Sequence, residues 1–515
     1  MAAPNDKLAT SLALLNNVQR DGIVRSSDLS RTHRERLMRS GFLSEVIRGW
    51  LIVTNPGVPD GTSTSWYTSF WAFVSRYLGS RFGDDYCLAA EPSVMRHVGA
   101  GLIPRQVIVI AREPVNQTVH LRFDTSLFIY TTKDGFPEDR VKRDGLWLMD
   151  LPAALCRVSP AFFRNSPADG EIALRSVRDP GELLRILLEG GSTLVAGRLA
   201  GAYTYLREPR IADQIREAME AAGSQIRPTN PFERDEPLLG GRTRVTSPHA
   251  TRMGLLWSAM RAGVIAAFPP PQAESADPAI YLAEVEERYA ADAYNSLSIE
   301  GYRVSPELIE RVRRGGWNPD SSEADVREAD ALAARGYYQA FQAVKGSLGE
   351  ILGGAPPAGI VERDHQRWCR EMFAPAVTAG ILGPGQLAGY RNTPVYLRGS
   401  RYVPPSHAAV PDCMETLFEL LHGEPNPAVR AVLGHFIFVY IHPYPDGNGR
   451  IARFLMNAMF ASARYPWTVI RQERRARYLA ALEDASTIHD IGPFASFVRE
   501  EMQAPAANPN VAALG

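Results

Sequence analysis

The stretch IHPYPDGNGRIAR, residues 441–453, gathers the side chains of this chain best suited to chemistry. His442 is an imidazole with an ordinary pKa near neutrality, able to take a proton from an attacking group. Asp446 offers hard carboxylate oxygens of the kind that hold Mg²⁺ against phosphates. Gly447 and Gly449 let the backbone approach a ligand closely, and successive free N–H groups form an anion nest. Arg450 and Arg453 are three apart, so they neighbour each other on one helix face. A base, a metal ligand and a phosphate cradle are the parts of phosphoryl or nucleotidyl transfer. The competing reading is a structural turn between helices, but turns rarely collect His, Asp, Asn and two Arg at this spacing.

Two helices must position these groups. In PAVRAVLGHFIFVY (427–440), Val429, Val432, Leu433, Phe436 and Tyr440 recur at helical spacing, which predicts a buried helix. Pro443 and Pro445 cannot continue it. Ile451, Leu455, Ala458 and Met459 restart a helical stripe. A tight turn feeding a helix N-terminus favours an anion, through free N–H groups and the helix dipole. His435 lies seven residues before His442 and reads as packing or as a supporting hydrogen bond. His407 and His422 read as surface histidines, and Tyr478 as either an adenine-pocket wall or a core aromatic.

A second fragment, SLSIEG (296–301), closes the predicted helix 279–298 with Gly301. Glu300 stands at that C-terminus, where the dipole disfavours a carboxylate and a cationic partner is called for. An ordinary surface glutamate is the simpler local reading.

Bulk numbers bound the rest. At about 150 residues per domain, 515 residues give roughly three domains. Lys+Arg is 56 against Asp+Glu 57, so the whole-chain field predicts no polyanionic partner. Cys87, Cys156, Cys369 and Cys413 are scattered, which excludes a disulfide framework or a zinc-type spacing. The N-terminus lacks a signal-peptide pattern, and apolar runs such as FIFVYI are too short to span a bilayer. A cytoplasmic protein without a membrane partner is expected.

Boundaries are expected at 55–65, 227–244 and 353–359. Residues 1–55 read as helix, helix, helix, hairpin, with Leu8, Leu12 and Leu15 on the first helix and SSDL (26–29) opening the second. The third, 30–41, carries Arg31, His33, Arg34, Arg36 and Arg39, and 42–53 reads as a two-stranded wing. This is the order of a winged helix-turn-helix. DNA contact through residues 25–50 and a merely solvated helix face both remain open. Residues 60–235 mix helices (65–78, 179–191, 209–223) with strands (105–111, 119–132); Glu91 and Asp124 are lone carboxylates there, read as salt-bridged or solvated.

HPYPDGNGRIAR, 442–453, resembles the Fic-domain signature His-Pro-Phe-x-[Asp/Glu]-Gly-Asn-Gly-Arg-x-x-Arg, departing only by Tyr444 for Phe. The resemblance runs from about 245 to 500 and includes GYRNTPVYLRGSRYVPPS (389–406), similar to the Fic flap hairpin, which holds a target by strand addition, and RYLAALEDAS (477–486). It implies a protein adenylyltransferase using ATP and Mg²⁺. His442 would deprotonate a target hydroxyl and Asp446 would hold the metal. Gly447, Asn448 and Gly449 would form the anion hole, and Arg450 and Arg453 would bind the outer phosphates. GNGR favours nucleotidyl transfer over the kinase chemistry of the related Doc proteins. Ser296-x-x-x-Glu300-Gly301 resembles the family's inhibitory motif, which implies a Glu300–Arg453 pair that restrains the enzyme. IVRSSDLSRTHRERLMRSGFLSEVIRGWLIV and DDYCLAAEPSVMRHVG resemble AbiE-type antitoxins and regulators.

The expectation is therefore a multidomain α+β chain. It would hold a winged helix (1–55), a mixed α/β domain (60–235), a Fic N-terminal helical region with the inhibitory helix (245–350), and a mainly helical Fic core with a β-hairpin flap (355–505). Its expected partners are ATP and a target protein or itself, with DNA and a homodimer as further candidates. The alternatives are a DNA-binding regulator whose core senses nucleotide, another nucleotide donor, or AMP removal.

Overall fold

Leu8, Leu12 and Leu15 do share a helix face: α1 (Pro4–Val18) lays them on Val24, Leu29, Leu37, Leu43 and Leu51. This is the computed structural model of the 515-residue chain, which describes residues 4–56, 64–133, 135–238, 247–270, 277–315, 329–397 and 399–504. Most of the predicted 55–65 boundary lies outside the described residues. The chain forms two compact units, Met1–Pro248 with Tyr396–Val403, and His249–Val395 with Pro404–Gly515. The two N-terminal segments thus share one unit, as do the two C-terminal ones.

In the first unit, β1 (Ile23–Arg25) follows α1, then a 3₁₀ turn (Ser26–Asp28), α2 (Arg31–Arg39), β2 (Leu43–Ile47) and β3 (Trp50–Val53). The strands pair antiparallel in the order β1-β3-β2. The expected second helix is only this 3₁₀ turn. Asp28 accepts the Arg25 amide at 3.3 Å, a local side-chain bond that competes with helix propagation.

α3 (Thr64–Phe82) packs Trp66, Phe70, Phe73 and Val74 onto a six-stranded sheet. Its strands are β4 (Tyr86–Leu88), β5 (Gln106–Ala111), β6 (Asn116–His120), β7 (Ser126–Tyr130), β8 (Arg140–Arg143) and β9 (Leu146–Met149). Their order is β6-β7-β5-β4-β9-β8, with β5/β7 and β4/β9 parallel. The single strand expected over 119–132 is instead a reversal from β6 into β7. Phe123 and Asp124 make it by adopting φ of 51° and 58°, a region open to Asp in turns. α4 (Ala90–His97) sits between β4 and β5, and Glu91 at its start accepts the Ser159 hydroxyl at 2.6 Å. Helices from Leu151 to Ala221 complete the unit.

Segment 396–403 belongs to this unit because its backbone pairs with residues 101–103. Ile103 donates to the Arg401 carbonyl at 3.1 Å and Val403 to that of Gly101 at 2.9 Å. A Cβ on Gly101 would stand 2.4 Å from the Val403 oxygen, so glycine permits the approach. The expected β-hairpin over 389–406 is not formed among the described residues; Tyr402 bridges Leu102 instead. A segment whose polar backbone is satisfied by another stretch of the same chain has no need to fold back on itself.

The second unit is helical among its described residues. α5 (Pro278–Ile299), α6 (Ala329–Leu352) and α7 (Pro357–Thr378) pack around α8 (Pro427–Ile441) and α9 (Asn448–Ala461). The 353–359 breaker thus joins two helices of one unit. α8 starts at Pro427, with the Asn426 side chain accepting the amides of Ala428 and Val429 at 3.0 and 3.1 Å. Helices α8 and α9 are buried nearly all round, which makes them the core of the unit and holds the loop between them rigid. Among the described residues, no helix is long and apolar enough to cross a membrane.

Candidate active site

The loop 442–447 joins α8 to α9. α8 closes on His442, whose φ of 53° and ψ of 61° are left-handed, a conformation that residues with a Cβ adopt only at a steric cost. The His442 Nδ1 lies 3.2 Å from the Val439 carbonyl. A carbonyl only accepts, so Nδ1 carries the proton and Nε2 keeps the lone pair of the neutral ring. Burial pushes the His442 pKa down to about 4. The Val439 bond, Glu300 and Asp446 oppose that shift, and the Arg391 charge adds to it. The imidazole is thus in its basic form at neutral pH.

The loop then turns on Gly447, the N-cap of α9, at φ 82° and ψ 3°. A Cβ there would fall 2.9 Å from the Phe373 ring, so both the dihedral and the space require glycine. The first helical bond beyond it is Ile451 N to Gly447 O at 2.9 Å, so the amides of Asn448, Gly449 and Arg450 precede the intrahelical ladder. The Asn448 side chain turns back onto the loop. It accepts the Tyr444 amide and donates to the Tyr444 carbonyl, both at 2.8 Å. It is a staple that shapes the loop, and only its backbone N–H is left for an anion.

Arg450 and Arg453 are 1% and 2% exposed. Arg450 lies over the rings of Tyr302 and Phe373 at 5.2 and 5.3 Å. Its Nη2 stands 3.3 Å from the exposed Asp446 carboxylate but out of line for a hydrogen bond, and Nε and Nη2 are both buried without one. Arg453 donates to the Ser296 hydroxyl at 3.0 Å, the Ser296 carbonyl at 3.2 Å and Glu300 Oε1 at 2.9 Å, while Nη1 has no hydrogen bond. Buried guanidinium donors without acceptors are costly, and anionic oxygens would satisfy them.

Glu300 is where the two sequence fragments meet. It stands at the C-cap of α5, and Gly301 follows with φ of 96°. Burial alone would raise the Glu300 carboxyl, but Arg453 and then Arg450 outweigh it and hold the pKa below the usual carboxylate range. A Cβ on Gly449 would lie 2.5 Å from Glu300 Oε1, so the carboxylate sits directly on the start of α9. It occupies the space over the first amides of α9.

Several residues were not foreseen. Asp292, one turn before Ser296, accepts the Tyr337 hydroxyl at 2.7 Å, and burial pushes its carboxyl up to about 6. Arg391, 3% exposed, holds the carbonyl of His442 at 2.8 Å. Neither carries a local sequence signal, because each is defined by a partner far along the chain. Tyr478 is 2% exposed and its hydroxyl lies 3.0 Å from His435 Nε2, which places both in the core. His407 and His422 are exposed, the latter 2.8 Å from Glu362. No group of three or more His, Cys, Asp or Glu among the described residues could hold a metal ion. Asp446 as sole carboxylate fits Mg²⁺ only when phosphate oxygens and water complete the shell.

In the first unit the basic residues of α2 are used differently. Arg34 donates to the Ser26 carbonyl at 3.0 Å, Arg36 to the Lys7 carbonyl and Ser11 hydroxyl at 3.0 and 2.8 Å, and Arg31 pairs with Glu35 at 2.7 Å.

Residues 363–460 match the model of the Fic/DOC family. These residues form a Fic domain. Protein adenylyltransferase Fic of Nematostella vectensis is 40% identical to this chain over 123 residues, 23% of this chain and 28% of the relative. Protein adenylyltransferase fic-1 of Caenorhabditis elegans is 32% identical over 129 residues, 24% of this chain and 25% of the relative. The chain thus spans about a quarter of the length of these curated relatives. Among solved structures, Fic-1 from C. elegans aligns over 71% of this chain and 98% of its own at 19% identity, with a TM-score of 0.36.

Proposed function

We propose that the second unit is a Mg²⁺-dependent protein adenylyltransferase held off by its own Glu300. The observation that carries this reading is the Glu300 carboxylate 2.9 Å from Arg453, above a helix start where Arg450 Nε and Nη2 and Arg453 Nη1 are buried without a hydrogen bond.

In the working state Glu300 leaves, and the triphosphate of ATP lies on the amides of 448–450 and the nitrogens of Arg450 and Arg453. Asp446 would hold Mg²⁺ together with phosphate oxygens; the ion supplies charge neutralisation of the leaving pyrophosphate. His442 Nε2 takes the proton of a target hydroxyl, whose oxygen attacks the α-phosphorus. The bond from that phosphorus to the bridging oxygen breaks, and pyrophosphate departs with the electron pair. The target keeps AMP. Glu300 prevents this by placing a carboxylate where an outer phosphate must sit.

The test is the full chain with Mg²⁺ and ATP labelled at the α-phosphate, comparing wild type, Glu300→Gly, and Glu300→Gly with His442→Ala. Label on protein in the second alone supports base and brake together. ATP bound by all three with label in none overturns the transferase reading and leaves a nucleotide sensor.

A further inference from the structure

The left-handed backbone of His442 needs something to hold it. A non-glycine residue there is strained, and the last carbonyls of α8 have no intrahelical donors. Arg391 answers both needs. Its Nε donates to the His442 carbonyl at 2.8 Å, its Nη2 to that of Ile441 at 3.4 Å, and its amide to that of Pro443 at 2.9 Å. A cation at the C-terminal end of a helix is also where the dipole favours it. The same guanidinium reaches the chain on either side of the excursion through 396–403. Nη1 donates to the Thr393 carbonyl at 3.1 Å and Nη2 to that of Pro405 at 2.5 Å. One buried side chain thus ties the two roots of that excursion to the residue proposed as the base.

We propose that Arg391 is the positioning residue of His442: its clasp on the backbone from Ile441 to Pro443 holds the imidazole in the Nδ1–H form, with Nε2 free to take a proton. It touches no substrate. The inference rests on the reading of His442 as the base, but its geometry can be tested without turnover. The charges acting on His442 are Arg391, which lowers its pKa, and Glu300 and Asp446, which raise it. A merely structural arginine would move stability and leave the ring's tautomer where it is, while the midpoint answers to the Arg391 charge in either case.

The experiment is an NMR titration of the full chain carrying ¹³C,¹⁵N-histidine, with His442 assigned by its loss in His442→Ala. In wild type, His442 should show one Nδ1–H tautomer and titrate well below the ordinary imidazole value of about 6.5. Arg391→Ala should mix the tautomers, because the backbone clasp is lost, and its missing positive charge acts to raise the midpoint. Arg391→Lys keeps the charge and loses the fork, so its midpoint should stay near wild type while the tautomers mix. Should Arg391→Ala not fold, Arg391→Lys alone decides the matter through its tautomer ratio. An unchanged tautomer in a folded variant overturns the proposal. In the Glu300→Gly background, Arg391→Lys should also lower turnover by about tenfold at unchanged KM for ATP. Absence of any transfer in that background counts against the transferase reading, while the titration still decides the role of Arg391.

Discussion

Two short helices of this chain begin with arginines, and they use them in opposite ways. At the start of α9, Arg450 and Arg453 are buried, and three of their nitrogens have no hydrogen bond. Along α2, Arg31, Arg34 and Arg36 bond to Glu35, to backbone carbonyls and to Ser11, and Arg31 is 84% exposed at its side chain. Local sequence made both helices look like anion binders. The difference is one of satisfaction: a buried cation left short of acceptors is expensive and calls for an anionic ligand, whereas a surface arginine that closes its own fold is content as scaffolding.

The largest effect that sharpens this contrast concerns the base. His442→Ala in the Glu300→Gly background should cost about 10²–10⁴ in transfer rate, measured with labelled ATP. Glu300→Gly alone should raise transfer by about 10–150-fold, the change that a charge-assisted hydrogen bond of about 1.5–3 kcal/mol converts to; parallel assays of wild type and variant check it.

The pH profile comes next. Glu300 has a lowered pKa, so its bond to Arg453 is fully present above the ordinary carboxylate range and is lost only as pH falls through the lowered value. His442, pushed down to about 4, stays basic until that pH. The freed variant should therefore work at a constant rate from about pH 8 to 6, with an acid limb at or below about 4, since removing Glu300 also removes a raising influence. An acid limb near the unperturbed imidazole value of about 6.5 would mean the ring is more solvated than its surroundings imply.

The smallest effect lies in α2. Arg36→Ala should lower the unfolding free energy by about 1 kcal/mol, read by denaturant titration, and leave transfer unchanged. Duplex DNA shifted in a gel by wild type and no longer by Arg31→Ala with Arg39→Ala would break the contrast, because those two side chains are exposed and held only by surface pairs with Glu35 that a phosphate can replace.

Much of the site was legible because its grammar is local. Spacing alone placed His442 at a helix end, Gly447 at the turn and Arg450 and Arg453 at a helix start, whereas Glu300 read locally as an ordinary surface glutamate and its pairing with Arg453 came only from the resemblance of its motif. What escaped is either long-range or a local side-chain or turn choice that residue type alone does not fix. Asn448 fits an anion hole by type, yet its amide is spent on Tyr444. The alternating 389–406 segment has the pattern of a hairpin, but residues 101–103 offer it another backbone to pair with. Strand 119–132 hid a reversal because its turn uses Phe123 and Asp124 without a glycine. In the N-terminal unit, an Asp28 bond replaced a helix with a 3₁₀ turn.

The most direct measurement uses the Glu300→Gly protein with ATP labelled either at the α- or at the γ-phosphate, followed by the label that remains on protein. Label retained from the α-position only, and lost with His442→Ala, is the predicted result and means AMP transfer. Label retained from the γ-position would mean phosphoryl transfer and contradict the account.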